Sequence, residues 1–420
     1  MKKVSIMLLI GVMVIGSLFA QGSNEKSKAP GKQTVVFWNG YTGPDRTVLE
    51  ELVKKYNESQ NTVEIKMEIM PWDTLYQKLM PAMIAGNAPD LIAMSVGRYM
   101  EYAQAGKLAN LDDLLASSSL KRDDLVPGLM NAGMYQGSQY AMPMAFAAMV
   151  MYYNKDMFTA AGLDPDNPPK TLTELQDAWA KLVKKDANGN VTQYAQAIGV
   201  KSTVAMIPVF MWMYGAEYIQ DGKSVLNSPE AVQALEMLAQ AFQRNVSPVG
   251  LTGQEADNLF SAGKAAIEFN GPWAIPGFRG AGINLGIAEV PAGKNGRKTW
   301  GGDTILSISK DSKVKEAAWN FIEYWNSVEA QRTWALKVGF PPTRVDMSGD
   351  KELLAGNPDI IYFLNSAKYA EIFMADQPKS GRIDEEILVP LYEAVTRGTT
   401  KPAEALQAAD AKLNALLAEK

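Results

Sequence analysis

Apolar and polar positions alternate along the chain so that strands and helices are predicted in turn. The first element is a strand at Thr34-Val35-Val36-Phe37, and the chain then follows a regular order. The next elements are a helix from Pro44 to Glu58, a strand from Val63 to Ile69, a helix from Trp72 to Ala85 and a strand from Asp90 to Met94. This βαβαβ order is typical of a mostly parallel sheet covered by helices.

A second stretch of the same kind begins after Pro143. Its predicted elements are a strand at Ala148–Tyr153, helices at Leu172–Lys184 and Pro229–Arg244, a strand at Ala265–Phe269, a strand at Thr304–Ile308, a helix at Val314–Asn326 and helices over 358–420. We therefore expect an α/β protein with two doubly wound α/β lobes joined by a multi-strand hinge near residues 145 and 300–305. Lobe 1 is predicted to comprise 34–145 plus about 303–345, and lobe 2 about 146–302 plus 346–420.

The N-terminus has the order of a secretory signal. Lys2 and Lys3 precede the apolar run Val4 to Phe19, and Ala20 ends that run before a polar stretch. Residues 1–20 are predicted to be a signal peptide and 21–33 a flexible linker, which places the mature protein in the periplasm or elsewhere outside the cytoplasm. The alternative is an uncleaved anchor, because ~17 apolar residues can just span a bilayer.

The absence of two residue types excludes several classes of enzyme. The chain has no histidine and no cysteine, so it cannot use an imidazole base, an HExxH zinc site, a thiolate nucleophile or a lipid-modified N-terminal cysteine. We expect neither a cofactor nor a metal. The net charge of -5 provides no basic stripe for nucleic acid. Carboxylate or lysine chemistry remains open.

Five ordered segments resemble one protein family. They are Tyr76-Gln77-Lys78-Leu79, Gly86-Asn87-Ala88-Pro89-Asp90-Leu91, Tyr152-Tyr153-Asn154-Lys155-Asp156 with Ala161-Gly162-Leu163, Phe260 to Ala266 leading to Asn270-Gly271-Pro272-Trp273, and Trp300-Gly301-Gly302-Asp303. Together they resemble the extracellular solute-binding proteins of ABC importers, the maltose-binding-like family 1 sugar-binding group, over roughly 34–345. The resemblance implies a type II periplasmic-binding-protein fold, a monomer that closes on a solute without transforming it, and ABC permease subunits as partners.

Candidate ligand-binding residues lie at the carboxyl ends of predicted strands, where open α/β sheets bind ligands. Trp38, Asn39, Gly40 and Tyr41 follow the first strand, and Ser95 follows the third. Asp90 begins its strand at the opposite end, so we interpret it as structural.

The strongest single candidate is Trp273, because the family uses the Gly-Pro-Trp turn to stack a sugar ring. Asn270 is its predicted polar neighbour, and Gly301, Gly302 and Asp303 are predicted to face the same cleft. Trp72 and Trp212 are further candidate platforms; the alternative for Trp212 is the core of its lobe, and the alternative for Trp72 is a hydrophobic staple of the helix it precedes. Asp45 fits either a solvated charge or part of a charged clamp.

The ligand class predicted from these residues is a carbohydrate, and we expect an oligosaccharide. One departure weakens this assignment: Ala147 stands where maltose-binding relatives carry a carboxylate. Alternatives are a glycerophosphodiester, which needs cleft arginines or lysines, and a polyamine, which needs carboxylates with aromatics. Neither pattern is visible around Trp38, Trp273 and Asp303. A secreted glycosidase with two carboxylates is the enzymatic alternative.

Overall fold

The computed structural model describes residues 31–201, 206–302, 304–347, 349–374 and 377–419. The strands are β1 Gln33–Asn39, β2 Val63–Ile69, β3 Leu91–Ser95, β4 Met134–Tyr135, β5 Ser138–Gln139, β6 Met142–Pro143, β7 Ala147–Ala148, β8 Val150–Asn154, β9 Lys184–Lys185, β10 Val191–Ala197, β11 Ile219–Gln220, β12 Lys223–Ser224, β13 Ala265–Asn270, β14 Leu285–Ala288, β15 Thr299–Gly302, β16 Thr304–Ile308 and β17 Ala370–Ile372.

The α-helices cover both large sheets. They are α1 Arg46–Ser59, α2 Trp72–Ala85, α3 Tyr99–Gln104, α4 Asp112–Ser117, α5 Pro127–Ala132, α6 Lys155–Ala160, α7 Leu172–Leu182, α8 Met206–Met213, α9 Pro229–Gln243, α10 Gly253–Ser261, α11 Ile275–Gly280, α12 Lys315–Trp325, α13 Val328–Val338, α14 Lys351–Gly356, α15 Ile360–Ser366, α16 Ser380–Arg382, α17 Val389–Thr396 and α18 Pro402–Ala418. A π-helix at Ile383–Leu388 joins α16 to α17. Among the described residues, no helix combines the length and apolar character needed to cross a membrane.

Two five-stranded sheets organise the fold. The first has the order β2-β1-β3-β16-β6, in which β1 is parallel to β2 and β3 and β16 is antiparallel to β3. The second has the order β14-β8-β13-β10-β9, with β10 and β13 parallel and β8 antiparallel to β13. A third sheet, β17-β15-β7, pairs Gly301 with Ala148 and Gly302 with Ala147. These paired strands lie in the segments predicted to form the hinge.

The predicted elements agree closely with the structure. The helix Trp72–Ala85 has the predicted bounds, and Gly86 ends it with a left-handed φ of 75°. The first helix begins at Arg46 rather than Pro44. Asp90 precedes β3, and its carboxylate accepts hydrogen bonds from the Val36 amide at 3.0 Å and the Ser312 hydroxyl at 2.7 Å, which accounts for it as a structural residue.

One expectation about the C-terminal region is wrong. The stretch 358–420 was predicted to be helical throughout, but Ala370–Ile372 forms β17, which pairs in parallel with β15. This pairing supplies the backbone hydrogen bonds of a short segment between two helical turns, a tertiary effect that local pattern does not encode. The lobe boundaries remain a prediction.

The C-terminal helices are anchored in the core beneath the second sheet. Leu406 and Leu413 of α18 are fully buried there, in the same apolar cluster as Phe210 and Phe269. Burial of a leucine side chain contributes roughly 1.5–3 kcal/mol through the hydrophobic effect. The last helix is therefore part of this core.

We predict that Leu413→Ala lowers the free energy of unfolding by about 2–5 kcal/mol, because it removes buried methyl groups and leaves a cavity. Lys412→Ala, at the neighbouring exposed position of the same helix, should change it by less than about 0.5 kcal/mol. Urea denaturation of both variants measures the difference. Equal effects would show that α18 is not part of the core.

Candidate functional site

A cavity of about 420 Å³ lies where the carboxyl ends of strands from both large sheets meet. On the side of the first sheet it is lined by residues at or just after the carboxyl ends of β1, β2 and β3, such as Tyr41, Trp72 and Ser95. From the second sheet it is lined by α10 and by Asn270 and Trp273 at the end of β13. Loops at the carboxyl ends of strands are the usual ligand site of open α/β sheets.

Two half-buried tryptophans in this cavity each lie against the backbone of a glycine. A Cβ atom added to Gly40 would be 2.0 Å from the Trp72 ring, and one added to Gly271 would be 2.1 Å from the Trp273 ring. Neither glycine has a left-handed φ, so these positions require glycine for the close ring contact rather than for backbone conformation. The two glycines thereby fix where the tryptophan rings lie.

Further aromatic contacts hold these rings. The Tyr41 ring meets Trp72 edge-on at a centroid distance of 5.5 Å, and its hydroxyl hydrogen-bonds the Thr304 hydroxyl. The Trp273 ring packs against Phe340 at 6.0 Å. Packing against rings restricts side-chain rotation, so both indoles are held before any ligand arrives.

The structure brings half of the sequence-predicted residues to the cavity. Its lining includes Gly40, Tyr41, Trp72, Ser95, Asn270 and Trp273. Five other candidates lie outside that lining, namely Trp38, Asn39, Trp212, Gly301 and Gly302. Asp303 lies outside the described residues.

The five candidates outside the lining lie within strands or a helix. Trp38 and Asn39 are still within β1, and Asn39 is fully buried. Trp212 is buried in α8 against Phe373, with the Lys298 ammonium 4.8 Å from its ring centroid. Gly301 and Gly302 belong to β15 and are buried.

The cavity also contains groups that the sequence did not bring together. Four carboxylate side chains line it, from Asp45, Asp73, Asp257 and Asp384. They are far apart in the sequence, which is why no carboxylate cluster was expected there. Trp300 adds a third half-buried indole. Trp300 directly precedes the predicted residues Gly301 and Gly302. Because successive residues of a strand face opposite sides, Trp300 lines the cavity although the adjacent Gly301 does not.

Asn270 organises a buried acidic cluster behind the cavity wall. Its Nδ2 donates to Asp257 Oδ1 at 2.7 Å and to Glu268 Oε1 at 3.0 Å, while its Oδ1 accepts from the Gly271 amide at 2.8 Å. Burial, together with the charge of Asp257, raises the pKa of Glu268 well above its ordinary range. This shift favours the neutral form of Glu268, and Asn270 positions the Asp257 carboxylate.

Asp45 approaches the cavity from the opposite wall. Its side chain is only 6% exposed, and Oδ1 has no hydrogen-bond partner among the described residues. Burial, reinforced by the charge of Asp257, raises the pKa of Asp45 to about 7, although nearby backbone amides oppose the shift. An unsatisfied buried carboxylate oxygen of this kind is costly to stability.

Arg98 connects the two walls at one end of the cavity. Its Nη2 lies 3.3 Å from Asp384 Oδ2 and 3.3 Å from Glu385 Oε1 on the π-helix, and its Cζ is 4.9 Å from the Tyr76 ring centroid. The other cavity cation, Lys201, lies 3.2 Å from Glu393 Oε1. Both cations therefore already have carboxylate partners.

The family model described as "Bacterial extracellular solute-binding protein" matches residues 40–332 of the chain. The chain belongs to this family. This membership confirms the class inferred from the ordered motifs, and it gives the solute-binding protein an extracytoplasmic setting. The family and the relatives below are binding proteins.

Two curated relatives illustrate the range of the family. The maltotriose-binding protein of Pyrococcus abyssi is 27% identical over 361 residues, covering 84% of this chain and 75% of that protein. The sn-glycerol-3-phosphate-binding periplasmic protein UgpB of Rhizobium meliloti is 26% identical over 325 residues, covering 73% of this chain and 74% of that protein. The two relatives are named for chemically different solutes.

Among solved structures, this solute-binding protein is similar to an ABC transporter solute-binding protein from Thermotoga lettingae bound with α-D-tagatose. The TM-score is 0.82 at 26% identity, with 92% of this chain and 100% of that chain covered. The likeness confirms the predicted fold of two α/β lobes.

We predict that Gly271→Ala displaces the Trp273 ring, because the new methyl group and the ring cannot occupy the same space. The overpacking should cost about 1–3 kcal/mol of stability. Near-ultraviolet circular dichroism and thermal melting would detect both effects. Gly128→Ala, where an added Cβ meets nothing within 4 Å, serves as the control, and a Gly271→Ala protein with unaltered spectrum and melting would contradict the close contact.

We predict that Asp45→Asn stabilises the protein at pH 8 by about 1–3 kcal/mol and has little effect at pH 4. The folded protein holds the Asp45 proton more tightly than the unfolded chain, because its pKa is about 7 rather than 3.8. The stability from this group is therefore full below pH 3.8 and is lost as the pH rises towards 7. Thermal melting at both pH values measures the difference; equal shifts at pH 4 and pH 8 would contradict the prediction.

Proposed function

We propose that this solute-binding protein captures a carbohydrate of oligosaccharide size in the cavity between its lobes and delivers it to an ABC-type permease. The observation that carries the proposal is the pair of tryptophans, Trp72 and Trp273, set on glycine backbones at strand ends of different sheets. Flat indole faces stack on the apolar faces of sugar rings, and such preorganised contacts lower the cost of binding.

The polar lining supplies what a sugar also needs. Carboxylates such as Asp257 accept hydrogen bonds from hydroxyl groups, and hydrogen bonds to charged groups are stronger than neutral ones. A cavity of about 420 Å³ lies within the range of small-molecule sites. A relative named for maltotriose and a similar solved structure bound with α-D-tagatose support the same ligand class.

The cellular role follows from the family and the N-terminal sequence. We infer that residues 1–20 direct export, that the mature protein acts as a monomer outside the cytoplasmic membrane, and that it binds without reaction. Closure of the lobes around the solute then presents a surface to the permease. Cleavage near Ala20 is part of this proposal.

A second candidate ligand class is favoured by one observation. Four carboxylates together with aromatic rings meet the requirement for a polyamine. Saccharides are better supported because three half-buried indoles face the cavity and the relatives include sugar-binding proteins. A glycerophosphodiester is less suited, since Arg98 and Lys201 are already paired with carboxylates.

A ligand screen tests the proposal. The purified protein is heated with maltotriose, galacto- and arabino-oligosaccharides, tagatose, glycerophosphocholine, sn-glycerol-3-phosphate and spermidine, and sugar products are measured by chromatography. We expect a saccharide to raise the melting temperature with no product formed. A response confined to phosphates or amines would contradict the ligand class, and product formation would contradict the binding role.

Variants locate the site. Trp72→Ala and Trp273→Ala should each weaken saccharide binding at least about tenfold, because each removes a stacking surface. Trp212→Phe provides a matched control, since Trp212 lies outside the cavity lining. Isothermal titration calorimetry measures the affinities, and unchanged affinity in both alanine variants would remove the tryptophans from the site.

A further inference from the structure

The cavity is more acidic than a neutral sugar requires. Its described lining holds the carboxylates of Asp45, Asp73, Asp257 and Asp384 against the two cations Arg98 and Lys201. Both cations are engaged in ion pairs with carboxylates. Among the described residues, Asp45, Asp73 and Asp257 have no lysine or arginine nitrogen within 4.0 Å. The charge of Arg98 acts on Asp73 and opposes the rise of its pKa that burial causes, so Asp45 and Asp257 are the least compensated of the three.

The Asp257 carboxylate is held in place as a hydrogen-bond acceptor. Asn270 donates to its Oδ1 at 2.7 Å, and the second Nδ2 proton goes to Glu268 at 3.0 Å, so both amide donors are used. Glu268 is fully buried behind Asp257. Because Glu268 is itself an acid, it does not neutralise the Asp257 carboxylate. The Asp257 carboxylate stays partly exposed in the cavity lining. Such support from behind orients a group without neutralising it.

Asp45 supplies the opposing group. It belongs to the segment between β1 and α1, whereas Asp257 belongs to α10, so the two carboxylates come from opposite walls. Burial raises the pKa of the Asp45 carboxyl, and the charge of Asp257 adds to this rise. Asp45 Oδ1 is buried and has no hydrogen-bond partner among the described residues. The Asp45 residue is part of the cavity lining, so a hydrogen-bond donor of a bound ligand can approach this carboxylate.

We propose that Asp45 and Asp257 form an acidic subsite that binds a donor group of the saccharide and rejects ligands that carry a carboxylate or phosphate at that position. This inference rests on the proposed saccharide function and defines its specificity. A hydroxyl or a protonated amine donates to the carboxylates, while an anion meets two like charges in a poorly solvated space. Repulsion between like charges is strong where water is excluded, and it is a direct means of discrimination.

The test uses sugars that differ in one group. Maltotriose, mannotriose and galactotriose are each compared with a 6-amino-6-deoxy form and a 6-carboxylate form by calorimetry at pH 8 and low salt. In the wild type, the carboxylate form should bind at least about tenfold more weakly than the neutral sugar, and the amino form at least as tightly. In Asp45→Asn and in Asp257→Asn, the affinity for the neutral sugar divided by the affinity for its carboxylate form should fall at least threefold.

Two controls separate charge from folding. Asp123→Asn changes an exposed carboxylate outside the cavity and should leave the ratio unchanged. Melting temperatures of the variants report folding, and the isosteric Asn keeps side-chain size. The ratio of two ligands in one protein also cancels any loss of active protein.

The outcomes distinguish the two proposals. If no saccharide binds, the proposed function fails and this inference falls with it. If a neutral saccharide binds but its carboxylate form binds equally well, or the ratio is unchanged in both Asn variants, the acidic subsite alone is overturned. A ratio that falls in both variants and not in Asp123→Asn supports it.

Discussion

The contact between two indole rings and the backbone of two glycines determines the shape of the candidate site. Trp72 and Trp273 can lie where they do only because Gly40 and Gly271 have no side chain, since an added Cβ would fall within 2.1 Å of either ring. Tyr41 and Phe340 then pack against the rings. Two flat surfaces are thereby held at strand ends of different sheets before a ligand enters, which limits the entropy lost on binding.

The polar groups of the site differ from the aromatic ones, because their burial lowers the stability of the folded protein. Asp45 and Glu268 are buried acids with a carboxylate oxygen that lacks a partner in the described structure, and burial raises the pKa of both. Proteins retain such groups at functional sites although they reduce stability. In the proposed function, the aromatic surfaces bind many solutes and the carboxylates determine which of them are accepted.

Much of the fold could be predicted from sequence because its elements have strong local patterns. Helix α2 has the predicted bounds, and Gly86 and Asp90 have the structural roles inferred for them. β17 could not be predicted, since its three residues form a strand only by pairing with β15. Local pattern therefore identified many of the long elements but not the seven-residue strand β10 or the eleven-residue helix α13, and it missed the short β17, which depends on a distant partner.

The candidate site was predictable only in part, for a similar reason. The rule that ligands bind at strand carboxyl ends identified Gly40, Tyr41 and Ser95, and the Gly-Pro-Trp turn identified Trp273. Asp257 was missed because it lies on a helix, and its approach to Asn270 depends on how α10 packs on β13. Trp212 was proposed as a platform, but a uniformly apolar helix offers no signal that separates a core indole from one that lines a cavity.

A crystal structure of the protein with a bound oligosaccharide tests the central claim most directly. We predict that sugar rings stack on the indoles of Trp72 and Trp273 and that ligand hydroxyl groups donate to the Asp257 carboxylate. A saccharide bound elsewhere, or rings that contact neither indole, would contradict the account.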